Sequence, residues 1–91
     1  MFSYNLSEKL EKKIRKVAKK DKILALIFRK KIQEVISHST KTIDTYKNLK
    51  SPQNNYKRIH LTGSYVLLFF VDKPNKHVIF VDIVHWDFAY S

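Results

Sequence analysis

Residues 56–90 read YKRIHLTGSYVLLFFVDKPNKHVIFVDIVHWDFAY, and their pattern decides the fold. Tyr56 to Leu61 alternates, the period of a half-buried strand. Thr62-Gly63 predicts a two-residue hairpin connection. Ser64 to Val71 is almost continuously apolar, as a central strand covered on both faces requires. Lys73-Pro74-Asn75-Lys76 predicts a turn, and His77 to Val84 a last strand. The same stretch holds three of the four histidines and the single Trp.

A register follows from the turns. Leu61 opposite Ser64 sets His60 against Tyr65 and Arg58 against Leu67. Asp72 opposite His77 sets Leu67 against Asp82 and Tyr65 against Val84. Opposed residues share a face, and side chains alternate along each strand. One face then carries Ile59, Leu61, Val66, Leu68, Phe70, Ile79, Val81 and Ile83, and is the expected seat of the helices. The other carries Tyr56, Arg58, His60, Tyr65, Phe69, Phe80 and Asp82, a predicted groove with aromatic walls and charged groups. A slip of one residue would exchange the two sets.

Upstream, residues 2–6 alternate and suit a short edge strand. Asn5 followed by Glu8 has the form of a helix start, with Ser7 as a second cap candidate. Leu10, Ile14, Val17 and Ala18 recur at helical spacing, with Lys9, Lys12, Lys13, Lys16, Lys19 and Lys20 outside them. Asp21 predicts the cap of a second helix. Its apolar stripe is Leu24, Phe28, Ile32 and Val35/Ile36, with Ile27 beside it, fading at Ser37 to Thr40. The two helices should form an antiparallel hairpin. Residues 39–55 read as a loop with a turn of helix within Ile43 to Leu49. The expected fold is α+β, in the order β-α-α-β-β-β: a small antiparallel sheet with a helical hairpin on one face, one domain over residues 1–91.

Composition narrows the partner. The 91 residues carry 18 Lys and Arg against 8 Asp and Glu, a formal charge of +10. Such a field favours polyanions. The absence of Cys excludes disulfides and cysteine-based metal sites. The longest apolar run is Tyr65 to Val71, and a membrane span needs about 20 residues. The N-terminus lacks the order of a signal peptide. The expectation is a soluble, cytoplasmic protein with no membrane partner.

Convergent His, Arg and Tyr side chains on a basic protein suit chemistry on a phosphate backbone. Cleaving RNA through its own 2′-hydroxyl needs a base on that hydroxyl, an acid on the leaving oxygen, and a donor for phosphate charge. Histidine serves as either acid or base near neutrality, and arginine can hold phosphate oxygens with paired donors.

Tyr56-Lys57-Arg58-Ile59-His60-Leu61 followed by Ser64-Tyr65-Val66-Leu67-Leu68-Phe69 resembles the YRxxH…xWLLIY pattern of the RelE/ParE toxin superfamily, in its YafQ-like branch. His85, Asp87 and Tyr90 are similar to the HHDxxY ending of archaeal members. The resemblance covers the last 35 residues well and the remainder by pattern. It implies a ribosome-dependent endoribonuclease that cuts messenger RNA in the ribosomal A site, without metal or cofactor. It also implies a tightly bound acidic antitoxin, RelB-like, in a heteromeric complex. The chain departs from the pattern at Val66, where RelE carries Arg, at Ser64, where the YafQ branch carries Asp, and at Trp86, where RelE carries a late Arg. A histidine-based version of the chemistry is therefore the better analogue.

On that reading His85 is the general acid, His60 the general base or phosphate donor, and Arg58 the phosphate clamp. Tyr90 orients or stacks on substrate. Trp86 stacks on a base or closes the core. Lys57, Tyr65 and the lysines of the first helix (Lys9, Lys12, Lys13, Lys16) meet RNA. His38 is expected to serve a helix C-terminus, His77 to be solvated, and Asp82 to pair with Arg58. The exposed aromatics Tyr56, Tyr65 and Phe69 mark the predicted antitoxin surface. Two alternatives stand beside this: a ParE-like gyrase inhibitor with no nuclease site, and a non-catalytic RNA- or antitoxin-binding relative.

Overall fold

The computed structural model describes residues 1–49, 55–85 and 87. Their elements are β1 (Ser3–Leu6), α1 (Glu8–Lys20), α2 (Lys22–Ile36), a 3-10 turn at Thr42–Thr45, β2 (Lys57–Thr62), β3 (Tyr65–Asp72) and β4 (His77–His85). The strands form one sheet in the order β1-β4-β3-β2. β3 pairs antiparallel with β2 on one side and with β4 on the other, as the turns dictate. β1 joins the far edge parallel to β4, so the sheet is mixed.

Short polar side chains start both helices. The Ser7 hydroxyl oxygen accepts from the Leu10 amide at 3.0 Å, and the hydroxyl donates to the Val81 carbonyl at 2.6 Å, fastening the start of α1 to β4. Of the two cap candidates, Ser7 is therefore the cap. Asp21 accepts from the Leu24 amide at 3.0 Å to open α2, while its own amide donates back to Val17 in α1. One residue thus ends one helix and begins the next, which makes the hairpin tight. α1 lies over β4 and α2 over β2.

The helices bury Leu10, Phe28, Ile32, Val35 and Ile36 against Ile59, Leu61, Leu67, Phe69, Val78, Phe80 and Ile83. This corrects the expected faces of β3 and β4. Phe69 and Phe80 are fully buried core residues, not walls of an open groove. Val66 and Leu68 lie in a second cluster with Leu49, packed by Tyr56 and Val84. Two breaks in register explain the exchange. The hairpin turn is Gly63-Ser64, one residue later than expected, and β2 is irregular between His60 and Thr62, so His60 pairs with Val66 and Thr62 with Tyr65. Gly63 adopts φ +54°, a left-handed conformation that glycine takes without steric penalty. A second irregularity sits between Leu68 and Phe69: Phe69 pairs with Phe80 and Leu68 with Asp82, so Val81 has no register partner on β3. A bulge turns every residue beyond it, which is why Ile83 still faces the helices as expected. The expected pairing of Asp72 with His77 is observed.

Candidate active site

At the hairpin end of the sheet stand His60, Tyr65 and His85, all exposed. Tyr65 pairs with His85 across β3 and β4, and their rings meet edge-to-face with centroids 6.0 Å apart. The expected partner of Tyr65 was Val84; the bulge advances it by one.

Each imidazole is held by one nitrogen. His60 Nε2 lies 3.0 Å from the Gly63 carbonyl. A carbonyl only accepts, so Nε2 carries the hydrogen and the neutral ring presents Nδ1 as a lone pair. His85 does the reverse. Its Nδ1 accepts from the Asp87 amide at 3.2 Å, which leaves the hydrogen on Nε2. The Asp87 carboxylate is 3.6 Å from the same Nδ1, a longer contact that gains force only when the ring is charged. Nδ1 of His60 and Nε2 of His85 make no hydrogen bond among the described residues.

No described contact joins the two rings. They are linked through the sheet: His60 pairs with Val66, Val66 with Val84, and His85 follows. Two strand spacings separate these backbones by about 10 Å.

Arg58 precedes His60 by two residues. Its guanidinium donates to the Asn48 carbonyl at 2.6 Å. A cavity of about 210 Å³ opens beside it, lined by Thr45, Tyr46, Lys47, Arg58, Ile59 and His60. The expected pairing of Arg58 with Asp82 is not made. Asp82 is buried and held by α1 instead, with Lys13 Nζ at 2.6 Å and Lys9 Nζ at 3.1 Å. Burial works to raise the Asp82 pKa; hydrogen bonds from Lys13 and Lys9, the Lys13 charge and the Ile83 amide outweigh it, and the group lies below the usual carboxylate value. Lys13 also donates to the Ile83 carbonyl at 2.9 Å, so one ammonium spans the bulge. Asp82 pairs with Leu68 beside the bulge, and its carboxylate meets the α1 lysines from there.

The basic residues divide accordingly. Lys13 and Lys9 serve Asp82, and Lys12 lies 3.9 Å from Glu8. The Lys57 side chain is only 11% exposed and is held by the Tyr46 carbonyl, Asn48 Oδ1 and Asp44. Asp44 also pairs with Lys73, whose hydrogen bond is the main cause that lowers the Asp44 pKa. Lys57 is thus a strut between β2 and the preceding loop, contrary to its expected role at RNA. Lys16 remains on the exposed face of α1. Trp86 and Tyr90 lie outside the described residues.

Two other expectations are corrected. The His38 ring meets Thr42 Oγ1 and the Tyr46 hydroxyl, each at 3.0 Å, and it is the backbone amide, not the ring, that donates to the Val35 carbonyl at the end of α2. His77 is not merely solvated: it meets Ser3 Oγ at 2.7 Å and Asn5 Oδ1 at 2.5 Å, fastening β1 to β4. The strut at Asp44 and the clasp at Asp82 went unread in the sequence. A lone Asp in the apolar run Val78 to Val84 was the available signal, since a buried carboxylate demands a partner.

A helical hairpin on one face of a mixed four-stranded sheet defines the chain as a small α+β protein. The fold matches that of the isolated E. coli RelE toxin, with TM-score 0.71 and 20% identity over 93% of this chain and 84% of that one. It also matches a chain of the YoeB-YefM complex from Staphylococcus aureus, with TM-score 0.74 and 13% identity over 93% of this chain and 97% of that one. No protein-family model matches the sequence. A relative from Methanocaldococcus jannaschii, "Putative toxin RelE4", is 40% identical over 91 residues, spanning 100% of this chain and 93% of that protein. The chain belongs to the RelE toxin superfamily.

Proposed function

We propose that the protein is the toxin of a type II toxin–antitoxin pair and a ribosome-dependent messenger-RNA endoribonuclease working in the cytoplasm. One observation carries the reading: two exposed imidazoles stand at one end of the sheet, each hydrogen-bonded at one nitrogen, Nε2 in His60 and Nδ1 in His85. His60 offers a lone pair at Nδ1 and His85 a proton at Nε2, the complement that acid–base cleavage needs. In the proposed step His60 Nδ1 takes the proton of the 2′-hydroxyl. The 2′-oxygen attacks phosphorus, and the bond to the 5′-oxygen breaks. His85 Nε2–H protonates that oxygen, leaving a 2′,3′-cyclic phosphate and a free 5′-hydroxyl. By strand alternation His60 shares the face of Val66 and Val84 and His85 that of Tyr65, so a phosphodiester held between the two rings would lie across the end of the sheet. Arg58 neutralises charge on the phosphate, and Tyr65 stacks beside His85. Tyr90 and Trp86 complete the substrate contacts, and Lys16 and Lys12 add attraction for ribosomal RNA. The site is open and shallow, so the ribosome supplies the positioning of the message.

The partner is an acidic antitoxin. The YoeB-YefM likeness supports this, and so does the charge of +10. A second, non-catalytic reading is favoured by Val66, which is fully buried where RelE carries Arg. The test is cleavage of ribosome-bound message, read by primer extension, for wild type, His60→Ala and His85→Ala. Cuts that vanish in both variants support the nuclease. Intact messages with wild type, or arrest of replication instead of translation, would select the binding or gyrase reading.

A further inference from the structure

The largest exposed aliphatic side chains in regular structure lie on one helix and far from the histidines in sequence. On α2, Ile23 is 72% and Leu26 57% exposed. Ile27, half-buried, lines a cavity of about 250 Å³ with Lys30, Lys31 and Glu34. Positions 23, 26, 27, 30 and 34 fall on one face at helical spacing, and the core stripe of Phe28, Ile32 and Val35 occupies the opposite face. α2 therefore has a second apolar edge, at Ile23 and Leu26, that the described residues leave exposed, and Ile27 joins it to the core. Lys30 lies on this face, and Lys22 and Lys31 flank it at helical spacing. The local carboxylates are engaged: Asp21 caps α2, and Glu34 lies 3.8 Å from Lys31.

We propose that this outer face of α2 docks an acidic amphipathic helix of a partner protein. The helix would seat aliphatic side chains on Ile23, Leu26 and Ile27 and place carboxylates against the flanking cations. The inference rests on the proposed function for the partner's role, that of antitoxin, and adds the surface. A second copy of this chain is disfavoured because it would bring the same cations face to face. Three aliphatic side chains also fall well short of the roughly 800 Å² per partner that a stable interface buries. The occupant must extend beyond them along the cationic surface, as a longer acidic segment can. RNA is disfavoured because bases stack on aromatic rings, and this face carries none.

The probe is a synthetic helical peptide of about six turns, with Leu at i, i+3, i+4 and i+7 and Glu on both flanks. Binding to the full chain is followed by anisotropy, and the site by amide shifts. The expected result is saturable binding with shifts centred on Ile23 to Lys31. Leu26→Glu should weaken it roughly tenfold or more, as loss of a central anchor does. Lys30→Glu should weaken it less and reduce its salt dependence. Absence of binding would overturn the proposal. So would equal binding of a scrambled peptide that keeps the charge and loses the stripe. Leu26-dependent binding of a uridine-rich RNA oligomer or of phosphatidylserine vesicles would overturn it too, as would Leu26-dependent dimerisation in sedimentation. Message cleavage is scored separately on wild type, so an inactive protein that still binds the peptide would sink the nuclease reading alone.

Discussion

The four histidines form two pairs that differ in how their rings are held. His38 and His77 use both nitrogens, to Thr42 and Tyr46 in one case and to Ser3 and Asn5 in the other. His60 and His85 each use one among the described residues. A ring bonded at both nitrogens is a cross-link, with neither nitrogen left to offer. A ring bonded at one is oriented and still has a nitrogen to offer. The contrast separates structural from chemical histidines without appeal to position in the sequence, and it predicts that the two pairs respond to mutation in opposite ways.

The largest effect should fall on His85. Its replacement by Ala removes the proposed proton donor and should lower ribosome-dependent cleavage by about 10²–10⁴. The ring is exposed, so stability should change by less than about 1 kcal/mol. Full toxicity of His85→Ala in a growth assay would break the comparison at its strongest point. His60→Ala should come next. Loss of the base should reduce cleavage by about 10²-fold, at the lower end of that range, if Arg58 still holds the phosphate. Thermal melting should be close to wild type, because His60 is exposed and its one bond is to the turn. A melt lowered as much as the activity would move His60 into the structural pair.

Asp82→Asn sharpens the comparison from the structural side. It leaves Lys13 beside a neutral amide and should destabilise the fold by about 1.5–3 kcal/mol, the range for hydrogen bonds to charged groups. The pH dependence has a definite sign. The folded-state pKa of Asp82 is depressed, so its contribution is fully present above the unfolded value of about 3.9 and is lost as pH falls through the lower folded value. Urea titrations between neutral pH and pH 3 should show wild type losing more stability than Asp82→Asn. Parallel pH curves for the two proteins would remove Asp82 from the account.

The same contrast explains what the sequence could show. The helix starts at Ser7 and Asp21, the order of elements and the three antiparallel strands were legible because caps, turns and periodicity are local signals. Assignment of faces in β3 and β4 failed because two bulges interrupt the alternation, and bulges are set by packing across strands. Phe69 and Phe80 moved into the core, and Asp82 moved under α1. His60 and His85 are singled out by the motif around them, and the structure places both at the hairpin end of the sheet. The structural roles of His38 and His77 were not, since their partners come from a turn and from a strand more than 70 positions away.

The smallest effect, and the most direct check on the structural pair, belongs to His38. Its ring links Thr42 in the 3-10 turn to the Tyr46 hydroxyl, and the Tyr46 ring in turn meets Phe69 edge-to-face at 5.4 Å. It also meets Tyr46 edge-to-face at 5.1 Å. His38→Ala removes two hydrogen bonds and leaves a partly buried hydroxyl without this partner. A net cost of about 1–2 kcal/mol follows, since each such bond contributes about 0.5–1.5 kcal/mol. In a domain of this size each kcal/mol lowers Tm by about 4–8 °C. Cleavage by the folded fraction should equal wild type, because no nitrogen of His38 is left to serve a substrate. His38→Gln, which can still donate to or accept from Tyr46, should recover part of the melt. A variant that melts like wild type and has lost cleavage would place His38 among the chemical histidines, and ring-nitrogen occupancy would then no longer distinguish the two pairs.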